Sequence, residues 1–260
     1  MISIKSKREI ELMRETSRLA ASTLEYIGPY IKSGVSTLEL NDLCHEYILQ
    51  NNAIPAPLNY HGFPKSVCTS RNEVICHGIP NRKEKLKDGD ILNIDVTTIL
   101  NKFHGDTNKT FLVGNVAQEI RDLINCTYDC MMAGIETIRP GGHIGDIGAV
   151  IEEMAHDQGY SVVEEYCGHG IGREFHEEPQ VVHVGKKGTG PEMKPGMTFT
   201  VEPMINLGSR HCKLLKDDWT VITRDKKWSA QFEHTILVTE SGYDILTLRE
   251  EERQDGHRPA

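Results

Sequence analysis

Between positions 91 and 113 the chain holds two β-branched, apolar stretches that each carry one aspartate. They are Asn93-Ile94-Asp95-Val96-Thr97 and His104-Gly105-Asp106-Thr107, with Leu100-Asn101 midway between the acids. Two such runs joined by a short turn make a β-hairpin. The spacing predicts strands over 91–99 and 102–113 turning at Leu100-Asn101. Partner numbers then sum to 201, and Asp95 faces Asp106. Cβ atoms of directly opposed residues lie roughly 4.5–5.5 Å apart, and like charges there are destabilising. A cation between them is the simplest remedy, so the hairpin points to a metal site.

The surrounding chain supplies elements to build around it. Ser6-Lys7-Arg8-Glu9 and Ser36-Thr37-Leu38-Glu39 have capping-box spacing, each followed by apolar residues at helical intervals. Gly28-Pro29 closes the first helix, and the second ends near Asn51-Asn52. Further helices are expected over 116–138, stopped by Pro140-Gly141-Gly142, and over 145–158, capped by Gly159. Short strands are expected around 66–69, 74–77, Val162, Val181, 198–202, 219–223 and 231–239. Residues 86–96 also echo 193–203: each has Lys, a turn with Gly, an extended apolar run and then a carboxylate, at a constant offset of 107. A duplicated half-domain would bring Asp95 and Glu202 to one centre.

Four carboxylates thus stand at or beside apolar runs: Asp95, Asp106, Glu202 in Thr200-Val201-Glu202-Pro203, and Glu233 in Gln231-Phe232-Glu233-His234. One alone reads as a strand-end acid. Four together repel one another unless positive charge lies among them, and two divalent ions bridged by carboxylates supply it. Of twelve histidines, most read as surface or satisfied core positions. His77 in Cys76-His77-Gly78 and His169 and His176 in the Gly-rich segment 168–179 have glycine neighbours that let backbone and imidazole approach a ligand. The glycine pattern is not G-x-G-x-x-G, which removes a Rossmann reading. Oxygen donors with one or two imidazoles suit Mn, Fe, Co or Zn. Paired ions of this kind activate a bridging water and polarise a carbonyl, so amide or ester hydrolysis is the natural reaction class.

Composition narrows the setting. A net charge of −9 argues against a nucleic-acid-binding surface. No apolar run approaches the ~18 residues of a membrane span, and the start lacks a signal-peptide core. Seven scattered cysteines without a C-x-x-C pair fit a reducing cytoplasm and exclude a zinc finger.

Taken together, 59–62, 76–80, 93–96, 104–107, 168–179, 195–204, 219–220 and 231–235 resemble, in order and spacing, the methionine aminopeptidases of the first, compact, bacterial-like type. The resemblance implies an α+β pita-bread fold: two pseudo-symmetric halves around a curved antiparallel sheet, with helices outside. It implies a single catalytic domain over 1–250, with halves about 1–115 and 116–250, and a flexible tail over 251–260. By position, Asp95, Asp106, His169, Glu202 and Glu233 look like five ligands of a dinuclear site of Co, Mn, Fe or Zn, with Asp106 and Glu233 bridging. Glu202 is also the implied proton shuttle. His77 resembles the residue that bonds the substrate amide, and His176 the one at the scissile carbonyl. Tyr60, Phe63, Cys68, Phe175 and Trp219 would line a pocket for a methionine side chain, and Asn72, Val74 and Ser229 match positions that bind Na or K. The implied activity is removal of the initiator methionine from peptides and nascent chains whose second residue is small. The implied setting is a cytoplasmic monomer near the ribosome exit, without nucleic acid or membrane partners.

Thirty residues separate Glu202 from Glu233, which leaves no room for the helical insertion of the second type; the chain start is expected to lack the N-terminal zinc-binding extension of some relatives. Pro57, Phe63, Asn108, Glu174 and Asp218 depart from the usual pattern, and the acidic pair adds negative charge around the pocket. Two rivals are a proline-specific relative (prolidase or aminopeptidase P), which usually carries an additional N-terminal domain, and a non-enzymatic binding protein, which would have lost ligands.

Overall fold

The structure is a computed structural model that describes residues 2–254 and 257–260. Both capping boxes form. Ser6 accepts from the Glu9 N–H while Glu9 accepts from the Ser6 N–H, opening α1 (Lys7–Ile27). Ser36 and Glu39 do the same for α2 (Thr37–Gln50). Each box satisfies two backbone donors, one at the N-cap and one that the first helical turn leaves open. After α2 come β1 (Ile54–Pro55), β2 (Cys68–Arg71), β3 (Val74–Cys76) and the long pair β4 (Ile91–Leu100) and β5 (Phe103–Leu112). β4 bonds β5 along one edge and β1 and β2 along the other. Leu24, Ile27, Leu40 and Ile48 from the helices bury against Leu92, Ile94 and Val96 of β4, each worth about 1.5–3 kcal/mol when taken fully from water.

The second half opens with α3 (Gln118–Glu136) and α4 (Ile144–Asp157), followed by β6 (Ser161–Val162), β7 (Gly168–Gly170), β8 (Glu177–Val181), β9 (Thr198–Val201) and β10 (Met204–Asn206). β11 (Cys212–Leu214), β12 (Val221–Thr223), β13 (Ser229–Gln231), β14 (His234–Val238) and β15 (Tyr243–Ile245) complete it. The remaining sheets run β15-β14-β9-β7-β8, β13-β10-β6 and β11-β12-β3, and their strand pairs are antiparallel. Ile124, Met131, Ile147 and Ile151 of α3 and α4 pack with Phe199, Val201, Phe232 and Ile236 beneath them.

The expected hairpin exists, but its register differs. Partner numbers sum to 203: Asp95 faces Asn108 and Asp106 faces Thr97. The turn is therefore Asn101-Lys102, whose φ values of +52° and +68° are the left-handed pair that the tightest hairpin turn requires. Because the slip is two residues, side chains keep their faces. The two aspartates are diagonal neighbours on one face instead of directly opposed, which relieves part of their repulsion.

In the second half one register runs through two sheets. β9 on β14 and β10 on β13 both pair residues summing to 435. The ladder lapses at Glu202-Pro203 and Phe232-Glu233, where Pro203 has no N–H to give. Glu202 and Glu233 occupy the step that the ladder omits. Where the two hairpins meet, the Glu233 N–H donates to Asn108 O at 3.3 Å, and threonine hydroxyls supply further links. Thr107 donates to Glu233 O, Thr110 to Gln231 O and Thr235 to Asp106 O, each at 2.7 Å. Glu252, placed by sequence in the tail, sits in a 3₁₀ turn, Glu250–Arg253, buried between His234 and Arg249. Asp255 and Gly256 lie outside the described residues.

Candidate active site

Side chains two apart on a strand share a face, and every acid of the site has polar neighbours at that spacing. The runs are Asn93-x-Asp95-x-Thr97, Asp106-x-Asn108-x-Thr110, Thr200-x-Glu202 and Gln231-x-Glu233-x-Thr235. All four carboxylates line one cavity of about 280 Å³ together with His169. Asp106, His169 and Glu233 each place a ligand atom within 4.8 Å of the others. The His169 Nε2 lies 3.6 Å from both an Asp106 and a Glu202 oxygen. Its Nδ1 is 3.0 Å from Gly170 O and donates its proton there, which leaves Nε2 as the nitrogen turned toward the acids.

Neutral donors hold one edge of three of these carboxylates. Thr97 donates to Asp106 Oδ1 at 2.7 Å, Asn108 to Glu233 Oε2 at 2.8 Å, and Thr200 to Glu202 Oε1 at 2.7 Å. Gln231 reaches Glu202 Oε2 at 3.2 Å. Asp95 Oδ1 and Glu233 Oε1 are buried with no partner. No Lys or Arg lines the cavity among the described residues. Burial, then Asp106, push the carboxyls of Asp95 and Glu233 well above their usual range. Burial raises Glu202 to about 7 against the attraction of His169. Burial opposes a charge on His169, but Asp106 and Glu202 outweigh it and raise its pKa. Buried carboxyl oxygens without a partner, beside an imidazole Nε2 turned toward them, form a donor set that fits divalent ions of the borderline class.

His169, at the start of the Gly-rich segment, lies on β7. Its glycines are there for close approach: a Cβ on Gly168 would meet Thr200 O at 2.4 Å, and one on Gly170 would meet Glu178 O at 2.2 Å. His77 and His176 line the cavity with Tyr60, Phe63, Cys68, Phe175 and Trp219. His77 has φ +56°, an unusual conformation for a residue with a side chain. Burial lowers its pKa, and its ring stands edge-on to Trp219, which also meets Phe63 edge-on at 5.1 Å. Burial and His169 bring His176 down to about 4; its Nδ1 is 2.7 Å from the Tyr60 hydroxyl. Asn72 main-chain O accepts from the Ser229 N–H at 2.9 Å, and Val74 opens β3 nearby.

The unusual positions also find places. Asp218, at φ +63°, adopts the left-handed turn that favours glycine and that Asp tolerates. Glu174 is exposed and adds to the burial that raises the Tyr60 hydroxyl pKa. Asn108 is the donor to Glu233. Thr97, Thr200, Gln231 and the cavity-lining Tyr166 and Met204 were not anticipated; the first three follow from reading the strands at period two. His183, whose Nε2 accepts from the Glu202 N–H at 3.1 Å, has no sequence signal of that kind.

The model of metallopeptidase family M24 matches residues 11–240. The chain belongs to this family. It is 56% identical to the methionine aminopeptidase of Rickettsia prowazekii, over 95% of either chain. It is 52% identical to that of Escherichia coli K12, over 96% of each. The R. prowazekii crystal structure superposes with a TM-score of 0.94, covering 95% of this chain and all of that one. Prolidase from Pyrococcus furiosus, at 23% identity and TM-score 0.75, spans 95% of this chain, which covers 66% of it; that likeness shows the shared fold. The pita-bread architecture expected from the sequence is the one present, and the M24 member is a metal-dependent hydrolase. No described helix is long and apolar enough to cross a membrane.

Proposed function

We propose that this M24 member is an aminopeptidase that removes an N-terminal methionine from peptides whose second residue is small. The observation that carries it is one cavity with four carboxylates and His169 among its walls, together with an aromatic slot beside them. Asp95, Asp106, His169, Glu202 and Glu233 would hold two divalent ions drawn from Mn, Fe, Co and Zn. When bound, the pair supplies an activated water and polarises the scissile carbonyl.

The chain's own residues do the rest. Tyr60, Phe63, Cys68, Phe175 and Trp219 enclose an unbranched thioether, for which aromatic faces and a thiol are favourable partners. A neutral His176 that accepts from Tyr60 at Nδ1 carries its proton on Nε2, where it donates to the carbonyl oxygen. His77 bonds the substrate amide nitrogen side. Glu202 takes the proton of the attacking water and returns it to the leaving amine. Asn72, Val74 and Ser229 are proposed to seat Na or K behind the site.

The proposed setting is a cytoplasmic monomer acting on nascent chains near the ribosome exit. Between 210 and 227, Arg210, Lys213, Lys216, Arg224, Lys226 and Lys227 outnumber Asp217, Asp218 and Asp225, a net of +3 in a chain of net charge −9, which supports an anionic neighbour. The test is release of Met from Met-Ala-Ser by protein reconstituted with each metal in turn, with an X-Pro dipeptide alongside. Cleavage of X-Pro alone would assign it to the proline-specific branch, and cleavage of neither would overturn the reading.

A further inference from the structure

His183 lies two residues beyond β8 and is 1% exposed. Its Nε2 accepts from the main-chain N–H of Glu202 at 3.1 Å, which places the ring proton on Nδ1. That Nδ1 has no partner and is buried. A buried unpaired donor is unfavourable, and an apolar side chain of similar size would fill the space without it. The ring is therefore explained by what Nε2 does.

Nε2 acts at the step where strand pairing stops. Glu202 sits outside β9, Pro203 follows it, and the next paired residue is Met204. Three other contacts of Glu202 are fixed: Thr200 on Oε1, Gln231 on Oε2, and Gln231 again on the main-chain O at 3.3 Å. The N–H is held by His183. The His183 backbone is itself pinned by α4, since a Cβ on Gly148 would meet Val182 O at 2.6 Å and Val184 N at 2.8 Å.

We propose that His183 is a positioning residue for Glu202, its Nε2 replacing the missing strand partner and so setting the direction in which the carboxylate enters the cavity. The inference rests on the proposed role of Glu202 as a metal ligand. Without the acceptor, the buried N–H turns to seek another, and rotation about the Val201–Glu202 link carries the carboxylate with it.

The test compares H183L, H183Q and E202Q in the full-length protein. Mn(II) affinity of the metal-stripped protein is measured by calorimetric titration, with melting temperature and kcat and KM on Met-Ala-Ser. H183L removes both the acceptor and the orphan donor. Because it exchanges the orphan Nδ1–H for an orphan Glu202 N–H, it should melt near the parent yet bind Mn(II) about 10–100-fold more weakly, the usual effect of losing a partner behind a ligand. Its kcat should fall while KM holds. H183Q, whose Oε1 accepts near the Nε2 position, should recover most of the affinity. Parental affinity and kcat in H183L would overturn the proposal, as would equal impairment of H183L and H183Q, which marks the ring as filler. If H183L does not fold, H183Q decides: near-parental affinity supports the role, and a tenfold loss overturns it. E202Q separates the two levels. If it leaves affinity and turnover unchanged, the ligand reading fails and this inference falls with it; if it weakens both while H183L weakens neither, only the His183 role is lost.

Discussion

Asp95 illustrates the conflict that the site builds into single residues. It is held in a buried setting beside Asp106, with Oδ1 unpartnered. Each pKa unit of such a shift represents about 1.4 kcal/mol withheld from the charged form. Asn is nearly isosteric and uncharged, so D95N should stabilise the metal-free protein at pH 8 by about 1 kcal/mol or more, roughly 2–4 °C in melting temperature. The same change should abolish binding of one ion of the pair. Scanning calorimetry of the stripped protein and metal analysis of the reconstituted one check the two halves. A lower melting temperature for stripped D95N would contradict the repulsion argument. Neutral donors mark the same logic elsewhere: Thr97, Asn108, Thr200 and Gln231 aim the acids without adding charge.

At the scale of elements, turn geometry decides which acids meet. The β4–β5 turn puts Lys102 at φ +68°, a conformation that costs a side-chain-bearing residue about 1–2 kcal/mol. Glycine there gives back roughly 0.5–1 kcal/mol in unfolded-state entropy. K102G should therefore shift the urea midpoint upward by an amount worth about 0.5–1 kcal/mol, with activity unchanged; a downward shift would mean that the turn is not of this type. The β7–β8 pair works by proximity. G170A would drive a methyl into Glu178 O, 2.2 Å from the Cβ position, and should destabilise by about 3 kcal/mol, the upper end for overpacking. Because His169 sits next to Gly170, metal affinity should fall with it, which titration of G170A at low temperature would reveal.

For the whole molecule, pH and metal should act against each other. Folded-state pKa values of Asp95, Glu202 and Glu233 are raised. Their protonated forms therefore stabilise the metal-free fold fully below the usual carboxylate range, and that contribution is lost as pH rises through the folded values. Glu202 alone, raised from 4.5 to about 7, is worth on the order of 3 kcal/mol across that window. Glu252 has the opposite sign: burial raises it, but His234 and Arg249 outweigh burial and hold it low, so its contribution is lost in acid. Below about pH 6.5 the lowered histidines, His77, His104, His176, His183 and His234, act the other way. The stripped protein should thus lose stability between about pH 6.5 and 8, while saturating metal restores it by mass action. Melting curves at each pH, with and without Mn(II), test this; a stripped protein that gains stability toward pH 8 would contradict it.

The amino-acid pattern alone determined the capped helices and the strand faces, which follow from local periodicity, and face parity survives a register slip of two. It also singled out the four acids and the Gly-flanked histidines; that five of them form one ligand set and that the aromatics line a pocket was implied only by the family resemblance. It did not determine the register itself, which Asn101 and Lys102 set by their backbone angles, nor the lapse in pairing at Glu202. Nor did it reveal that Asn108 holds Glu233 across 125 positions or that His183 holds Glu202 across 19. Such bonds join strands that only packing brings together, and no local rule of spacing encodes them. The acids beside apolar runs made a metal site legible; the fold decided which neutral atoms aim each acid at it.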